Sequence, residues 1–227
     1  WGWTNSSMRT GIAVLGGTFD PVHLGHLESA RSIRDALSVN EVRMVPAFKP
    51  PHRNPPESSA EHRLAMLQVA VEGLPNIVVD DREIRREGRS YTVETLTSLR
   101  DEVGSEVAVY FVMGVDAFCT LDQWHEWRSI ADLAHIVVLQ RPGHEMKLSE
   151  KMAKWIEDRE TEKLEELVNH PGGGVCFLEL EQVAVSSTEI REALHRGEVP
   201  EGKLPGLVRA YIKCHDLYQR ENSNAEC

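Results

Sequence analysis

Apolar residues recur along the chain in two alternating rhythms. Short runs rich in β-branched residues, at 11–15, Glu41–Pro46, Ile77–Val79, 107–113, 136–139 and 175–180, have the length and composition of strands buried on both faces of a parallel sheet. Between them apolar positions return about every 3.6 residues. Leu27, Ala30, Ile33 and Leu37 mark one helix, and Val93, Leu96 and Leu99 mark the inner side of another. Ser58 with Glu61 makes the S-x-x-E of a capping box for a helix reaching about Gly73, and Ser186 with Glu189 makes another near the carboxyl end. Ser90-Tyr91-Thr92 opens a helix that ends near Gly104. Four prolines between residues 47 and 56 bar helix and central strand alike. Residues 83–89 read as a polar connection, 124–127 as a helical region, 147–169 as one or two solvated surface helices without chemistry, and 172–174 as a glycine turn. This alternation predicts an α/β fold: a Rossmann-like doubly wound parallel sheet flanked by helices, with right-handed crossovers and ligands outside the carboxyl ends of the strands.

A chain of 227 residues can bury roughly 70% of its unfolded surface, and no linker interrupts the pattern. One domain is expected over residues 8–219, with residues 1–7 a cloning remnant or upstream extension, Met8 a natural start and 220–227 a polar tail. The longest apolar run, 107–115, is broken by Gly114 and too short to span a membrane, and no charged-then-apolar leader is expected. Cys119, Cys176, Cys214 and Cys227 are scattered, without the close pairs of a zinc site or the density of a disulfide scaffold, which fits a reducing cytoplasm. With 25 Lys and Arg against 36 Asp and Glu, the net charge of −11 disfavours a nucleic-acid or anionic-membrane surface. A phosphate ligand must therefore meet local donors.

Two segments supply them. In Gly16-Gly17-Thr18-Phe19-Asp20-Pro21-Val22-His23-Leu24-Gly25-His26 a strand ends in two glycines that permit a sharp turn and let a ligand approach bare backbone. Asp20-Pro21 then either caps the following helix or forms the turn before it. The helix start directs free N–H groups and its positive dipole end back at the glycines, with His23 and His26, three apart, beside it. In Val185-Ser186-Ser187-Thr188-Glu189-Ile190-Arg191 a second helix start presents N–H groups and hydroxyls to an anion, and Arg191 adds a full charge. Each feature alone has an ordinary structural reading: a turn, a histidine near a cap, a surface arginine. Strand, glycine turn and H-x-G-H in that order are the signature of the nucleotidyltransferase superfamily.

With both segments present, the chain resembles the bacterial nicotinate-nucleotide adenylyltransferases, whose Gly-Gly-Thr-Phe-Asp-Pro-x-His-x-Gly-His and Ile-Ser-Ser-Thr-x-Ile-Arg motifs bracket the ATP site; here Val185 replaces the isoleucine. Pro50-Pro51-His52-Arg53, Ser90-Tyr91-Thr92 with Thr95-Leu96, Gly114-x-Asp116, Trp124 and Arg141-Pro142-Gly143 match in order, so the likeness covers residues 9–218. The resemblance implies transfer of AMP from ATP to nicotinate mononucleotide, giving the deamido dinucleotide and pyrophosphate, by direct attack without a covalent enzyme intermediate. It implies that His23, His26 and Arg191 act on the phosphates, with His26 foremost at the reacting centre. Gly16, Gly17, Thr18, Phe19, Gly114, Asp116, Arg141, Ser186, Ser187 and Thr188 would complete the ATP site, with Asp116 on a ribose hydroxyl. Mg²⁺ would bridge phosphate oxygens rather than occupy a protein cage. Gly17, Thr18, Lys49, His52, Arg53, Ser90, Tyr91, Thr92 and Trp124 would hold the mononucleotide. Bare N–H donors at the Ser90-Tyr91-Thr92 helix start should favour the nicotinate carboxylate over a neutral amide, and Trp124 should stack on the ring while Trp127 is structural.

The expected partners are ATP and nicotinate mononucleotide, without nucleic acid or membrane, and a homo-oligomer is allowed for. The rival readings are adenylyl transfer to nicotinamide mononucleotide or phosphopantetheine, cytidylyl transfer to a phosphorylated alcohol, and a noncatalytic nucleotide sensor. Ser90-Tyr91-Thr92 with Trp124 argues against phosphopantetheine and cytidylyl transfer, and retention of both histidines argues against the sensor. A tRNA synthetase conflicts with the short acidic chain. A metal-dependent hydrolase conflicts with an i, i+3 histidine pair lacking a carboxylate triad.

Overall fold

The computed structural model describes residues 11–49, 55–140, 146–180 and 183–219. Six strands, β1 (Gly11–Gly17), β2 (Glu41–Pro46), β3 (Ile77–Val79), β4 (Ala108–Gly114), β5 (His135–Gln140) and β6 (Val175–Glu179), form one sheet in the order β3-β2-β1-β4-β5-β6. Every pairing is parallel. Strand order reverses between β1 and β4, which opens a crevice outside their carboxyl ends, the position where open parallel sheets bind ligands.

Successive strand residues face opposite layers. Ala13, Val42, Met44, Tyr110 and Val112 pack with α1 (Leu24–Leu37), α2 (Ala60–Val71) and, from near the carboxyl end, α10 (Gly206–Cys214). Val14, Val45, Val109, Phe111 and Met113 pack with α4 (Thr92–Val103), α6 (Trp127–Leu133) and α7 (Glu150–Ile156) on the other face. The remaining short helices are α3 (Arg82–Arg86), α5 (Val115–Phe118), α8 (Leu164–Leu167) and α9 (Ser187–His195).

Local capping departs from expectation at several places. The cap of α2 is Ser59, whose hydroxyl accepts from the His62 N–H, because the Ser58 N–H is drawn to the Asp20 carboxylate at 3.1 Å. Ser186 does cap α9 in extended backbone, yet its side chain makes no capping bond, and Glu189 pairs with Lys203 at 3.3 Å instead. The polar stretch at 83–89 contains most of α3, because Glu83 is buried and draws a helical turn inward. Trp124 lies between a 3₁₀ turn (Leu121–Gln123) and α6, outside any helix. Within 147–169, α7 and α8 are not solvated all round: Met152, Trp155, Ile156 and Leu167 reach the core. Trp127 is buried edge-on to Trp155. No helix among the described residues is long and apolar enough to cross a membrane.

Candidate active site

The crevice is built from the end of β1 outward. Gly16 and Gly17 close β1 as paired strand residues, opposite Val45 and Pro46, as the sequence predicts. Phe19, just ahead of the turn at Asp20-Pro21, sits at φ 50°, a left-handed conformation costly for a large L side chain and tolerated where packing enforces it. Gly17 is needed for room: a Cβ there would lie 2.8 Å from the Phe19 ring.

Two buried charged residues fasten this turn. Arg63 on α2 is 1% exposed and donates from Nη1 to the carbonyls of Thr18 and Ala47, both at 2.7 Å, from Nη2 to Phe48 at 3.2 Å and from Nε to Ser58 at 3.3 Å. It thereby fixes the loop after β1 to the loop after β2. The Asp20 carboxylate, also buried, accepts from the N–H groups of Glu57 at 2.7 Å and Ser58 at 3.1 Å and from the Tyr218 hydroxyl at 2.7 Å. Asp20-Pro21 is therefore the turn ahead of α1, and the helix cap is His23.

The two histidines stack at the mouth of α1, with ring centroids 3.6 Å apart. His26 also meets the Phe19 ring edge-on at 5.0 Å. The His23 backbone N–H donates to His26 Nδ1 at 3.3 Å, which assigns the proton of a neutral His26 to Nε2. His23 is 5% exposed, and its Nδ1 is buried without a hydrogen-bond partner among the described residues. Burial pushes its imidazole down to about 4, so the ring is neutral at neutral pH.

The second segment arrives at the same place. Ser187 Oγ donates to Pro21 O at 3.1 Å, and Arg191 Nη1 donates to Asp20 O at 2.6 Å, across 166 and 171 positions of sequence. Arg191 also reaches Thr188 Oγ1 at 3.4 Å and Glu57 Oε2 at 3.5 Å, while His195 holds the other Glu57 oxygen at 2.5 Å. A Cβ on Gly25 would lie 3.1 Å from His23 Nδ1 and 3.2 Å from Val183 O, so glycine lets the start of α1 approach the segment leading into α9.

Beside Gly17 and Thr18 a cavity of about 220 Å³ opens between the ends of β1 and β4, and Ser90, Tyr91, Thr92, Gly114 and Trp124 line it. The N–H groups of Ser90 and Tyr91 are engaged by the carbonyls of Lys49 and Arg89, both at 3.2 Å. Among the described residues, helix-start donors without a carbonyl partner therefore begin at Thr92, two residues later than anticipated. Trp124 is half-buried, edge-on to Phe111. Lys49 is exposed and does not line the cavity; its carbonyl holds the Ser90 N–H and its ammonium lies 5.3 Å from the Phe48 ring centroid. Asp116 is exposed in the first turn of α5. His52, Arg53 and Arg141 lie outside the described residues.

Residues 14–193 match the family described as cytidylyltransferase-like. A protein of Chromohalobacter salexigens named "Probable nicotinate-nucleotide adenylyltransferase" is 44% identical over 91% of this chain and 95% of its own length. The chain belongs to the nicotinate-nucleotide adenylyltransferase family. A relative of that name from Hahella chejuensis is 42% identical over 93% of this chain and 97% of its own. In fold, the chain is similar to Plasmodium falciparum nicotinic acid mononucleotide adenylyltransferase complexed with NaAD, with TM-score 0.69 and 18% identity over 92% of this chain and 97% of that one.

In this member of the nicotinate-nucleotide adenylyltransferase family, several residues that assemble the site escape motif reading. Arg63 left a trace: it falls in the apolar stripe of α2 with Ala60, Leu67 and Ala70, where a charge must find buried partners. Glu83, which lines the cavity, and Glu57 and Tyr218, which grip Arg191 and Asp20, carry no local signal, because their partners are supplied by distant segments.

Proposed function

We propose that this chain transfers AMP from ATP to nicotinate mononucleotide, producing nicotinate adenine dinucleotide and pyrophosphate, a step of NAD biosynthesis. The observation that carries this reading is the meeting of the two helix starts. His23 and His26 at α1, and Ser187, Thr188 and Arg191 at α9, converge on the turn at Asp20-Pro21, next to the cavity that Gly17, Thr18, Ser90–Thr92 and Trp124 share. The family relatives support the same substrates through their names.

ATP would enter as its magnesium complex, in which the cation would neutralise phosphate charge. Its polyphosphate lies across the starts of α1 and α9, whose dipoles attract negative charge. His26 Nε2–H donates to the reacting α-phosphate, His23 contributes a neutral polar contact, and Arg191 supplies the full positive charge near the leaving pyrophosphate. Gly16, Gly17, Thr18 and Phe19 present backbone at the junction, while Gly114, Asp116, Arg141 and Ser186 flank the nucleoside. Nicotinate mononucleotide occupies the cavity, its ring on Trp124 and its carboxylate toward the N–H donors from Thr92 onward, with Lys49, His52 and Arg53 at its phosphate. That phosphate attacks the α-phosphorus directly. The Ser187 hydroxyl already donates to Pro21 O, which suits a positioning role rather than nucleophilic attack. Positioning and charge stabilisation then suffice for the reaction.

The test is pyrophosphate release from Mg-ATP with nicotinate mononucleotide, nicotinamide mononucleotide and phosphopantetheine side by side. Fast release is expected with the first and much slower release with the second. Equal turnover of the two pyridine nucleotides would remove the acid preference, and faster release with phosphopantetheine would assign the site to another acceptor.

A further inference from the structure

Glu83 is a carboxyl group in an unexpected position. It is 8% exposed, yet it lines the cavity together with Ser90, Tyr91, Thr92 and Trp124. Of the described residues lining that cavity it is the sole carboxyl, and none is Lys or Arg. A ring carboxylate entering here meets helix-start N–H groups and, if Glu83 is ionised, a full negative charge opposing them.

The surroundings of Glu83 keep both protonation states within reach. Thr95 Oγ1 donates to Glu83 Oε1 at 2.5 Å while accepting from Arg86 Nη2 at 3.3 Å. The Ser90 hydroxyl oxygen accepts from the Phe48 N–H at 2.9 Å, and this hydroxyl favours the ionised Glu83 carboxyl. Burial pushes the carboxyl above its ordinary range, assisted by Asp80, while the two hydroxyls and the Arg86 charge oppose the rise. The charged groups nearby also meet other partners. Arg82 and Arg43 engage Asp80 at 2.7 and 3.4 Å, Arg86 faces Glu94 at 3.5 Å, and Lys49 lies over Phe48. His125, its ring 4.6 Å from that of Tyr91, is the imidazole of the cavity lining.

We propose that Glu83 is a specificity-determining residue of the mononucleotide pocket: protonated, its carboxyl admits a pyridine ring bearing a carboxylate, and ionised, it disfavours that ring relative to one bearing a neutral amide. This rests on the cavity being the mononucleotide site. A cavity of about 220 Å³ is on the order of 7 Å across, and two like charges at that separation in a partly buried site change relative affinity roughly 10- to 50-fold. The ratio of affinities for the two mononucleotides isolates this effect, because both carry the same titrating phosphate.

Calorimetric titration of the full chain with nicotinate and nicotinamide mononucleotides from about pH 5 to about pH 8 tests the inference. The ratio of Kd for the acid to Kd for the amide should climb about tenfold or more with pH in the unaltered protein. It should stay at its low-pH value in Glu83→Gln and still climb in His125→Gln. Arg86→Gln, which removes a cation opposing protonation of Glu83, should move the climb to higher pH; this readout stands even if Glu83→Gln does not fold. A flat ratio in the unaltered protein, an unchanged climb in Glu83→Gln or an unmoved climb in Arg86→Gln overturns the inference. Pyrophosphate release measured alongside separates the two readings: release with a flat ratio overturns the role of Glu83 alone, whereas binding of neither mononucleotide overturns both.

Discussion

An imidazole beside a phosphate is useful according to which nitrogen carries the proton. At His26 this is settled by a neighbour's backbone, since the His23 N–H occupies Nδ1 and leaves Nε2–H as the donor. His26→Ala should lower kcat about 100-fold, on the scale of about 3 kcal/mol of preorganised stabilisation. Urea unfolding should register a loss of no more than about 1 kcal/mol, the worth of one hydrogen bond. His23 has a different signature. Its folded value near 4 lies below the 6.5 of the unfolded chain, so the unfolded state binds the proton first as the medium acidifies. The stability associated with a neutral His23 is complete above about 6.5 and falls as pH drops from there toward 4. Between about pH 7 and about pH 5 the loss from this residue should be about 2 kcal/mol. Urea unfolding of His23→Gln at the two pH values should show a slope reduced by that amount. Both histidines were legible in the sequence because the glycine turn and helix start around them are local. The burial that separates their behaviour was not, because His23 is enclosed while His26 is half-buried only once distant elements pack together.

At the scale of elements, strands and long helices followed from periodicity, and the errors cluster where a side chain has a better distant partner than its local one. Ser58 is the clearest case: its N–H is taken by Asp20, and the cap moves to Ser59. The same carboxylate ties the carboxyl-terminal residues to the site, accepting from Tyr218 at 2.7 Å with both groups buried. Burial and the Asp20 charge hold the Tyr218 phenol above its ordinary value, so it remains a donor. Tyr218→Phe should cost about 1.5–3 kcal/mol in urea unfolding, the range for a hydrogen bond to a charged group. A loss below about 0.5 kcal/mol would mean that this tie is dispensable. Arg63 acts in the same way between the loops after β1 and β2, and no capping or periodicity rule predicts which carbonyls it collects.

For the whole molecule, the decisive feature is the reversal of strand order between β1 and β4. It places the end of β1 beside the end of β4, and the segment after β6 returns to dock α9 on the Asp20-Pro21 turn. Arg191 serves this junction with a planar fork: one nitrogen holds Asp20 O at 2.6 Å while the others face Thr188 and Glu57. Lysine keeps the charge but cannot hold several partners in one plane. Arg191→Lys should therefore lower kcat/KM for ATP about tenfold or more, with the unfolding midpoint nearly unchanged, as steady-state pyrophosphate release and urea titration can show.

The fold class, the parallel sheet and the positions of the two helix starts were legible in the sequence, because strand burial, helix amphipathicity and glycine–histidine spacing act over a few residues. The packing of distant segments settles that Phe19 takes left-handed backbone after the glycines, that Asp20 and Arg63 hold this stretch from both sides, and that a buried carboxyl, Glu83, lines the neighbouring cavity. Those outcomes depend on which distant donors and acceptors meet once water is excluded. A buried charge takes whatever partners the assembled elements bring to it, and no local pattern encodes that meeting.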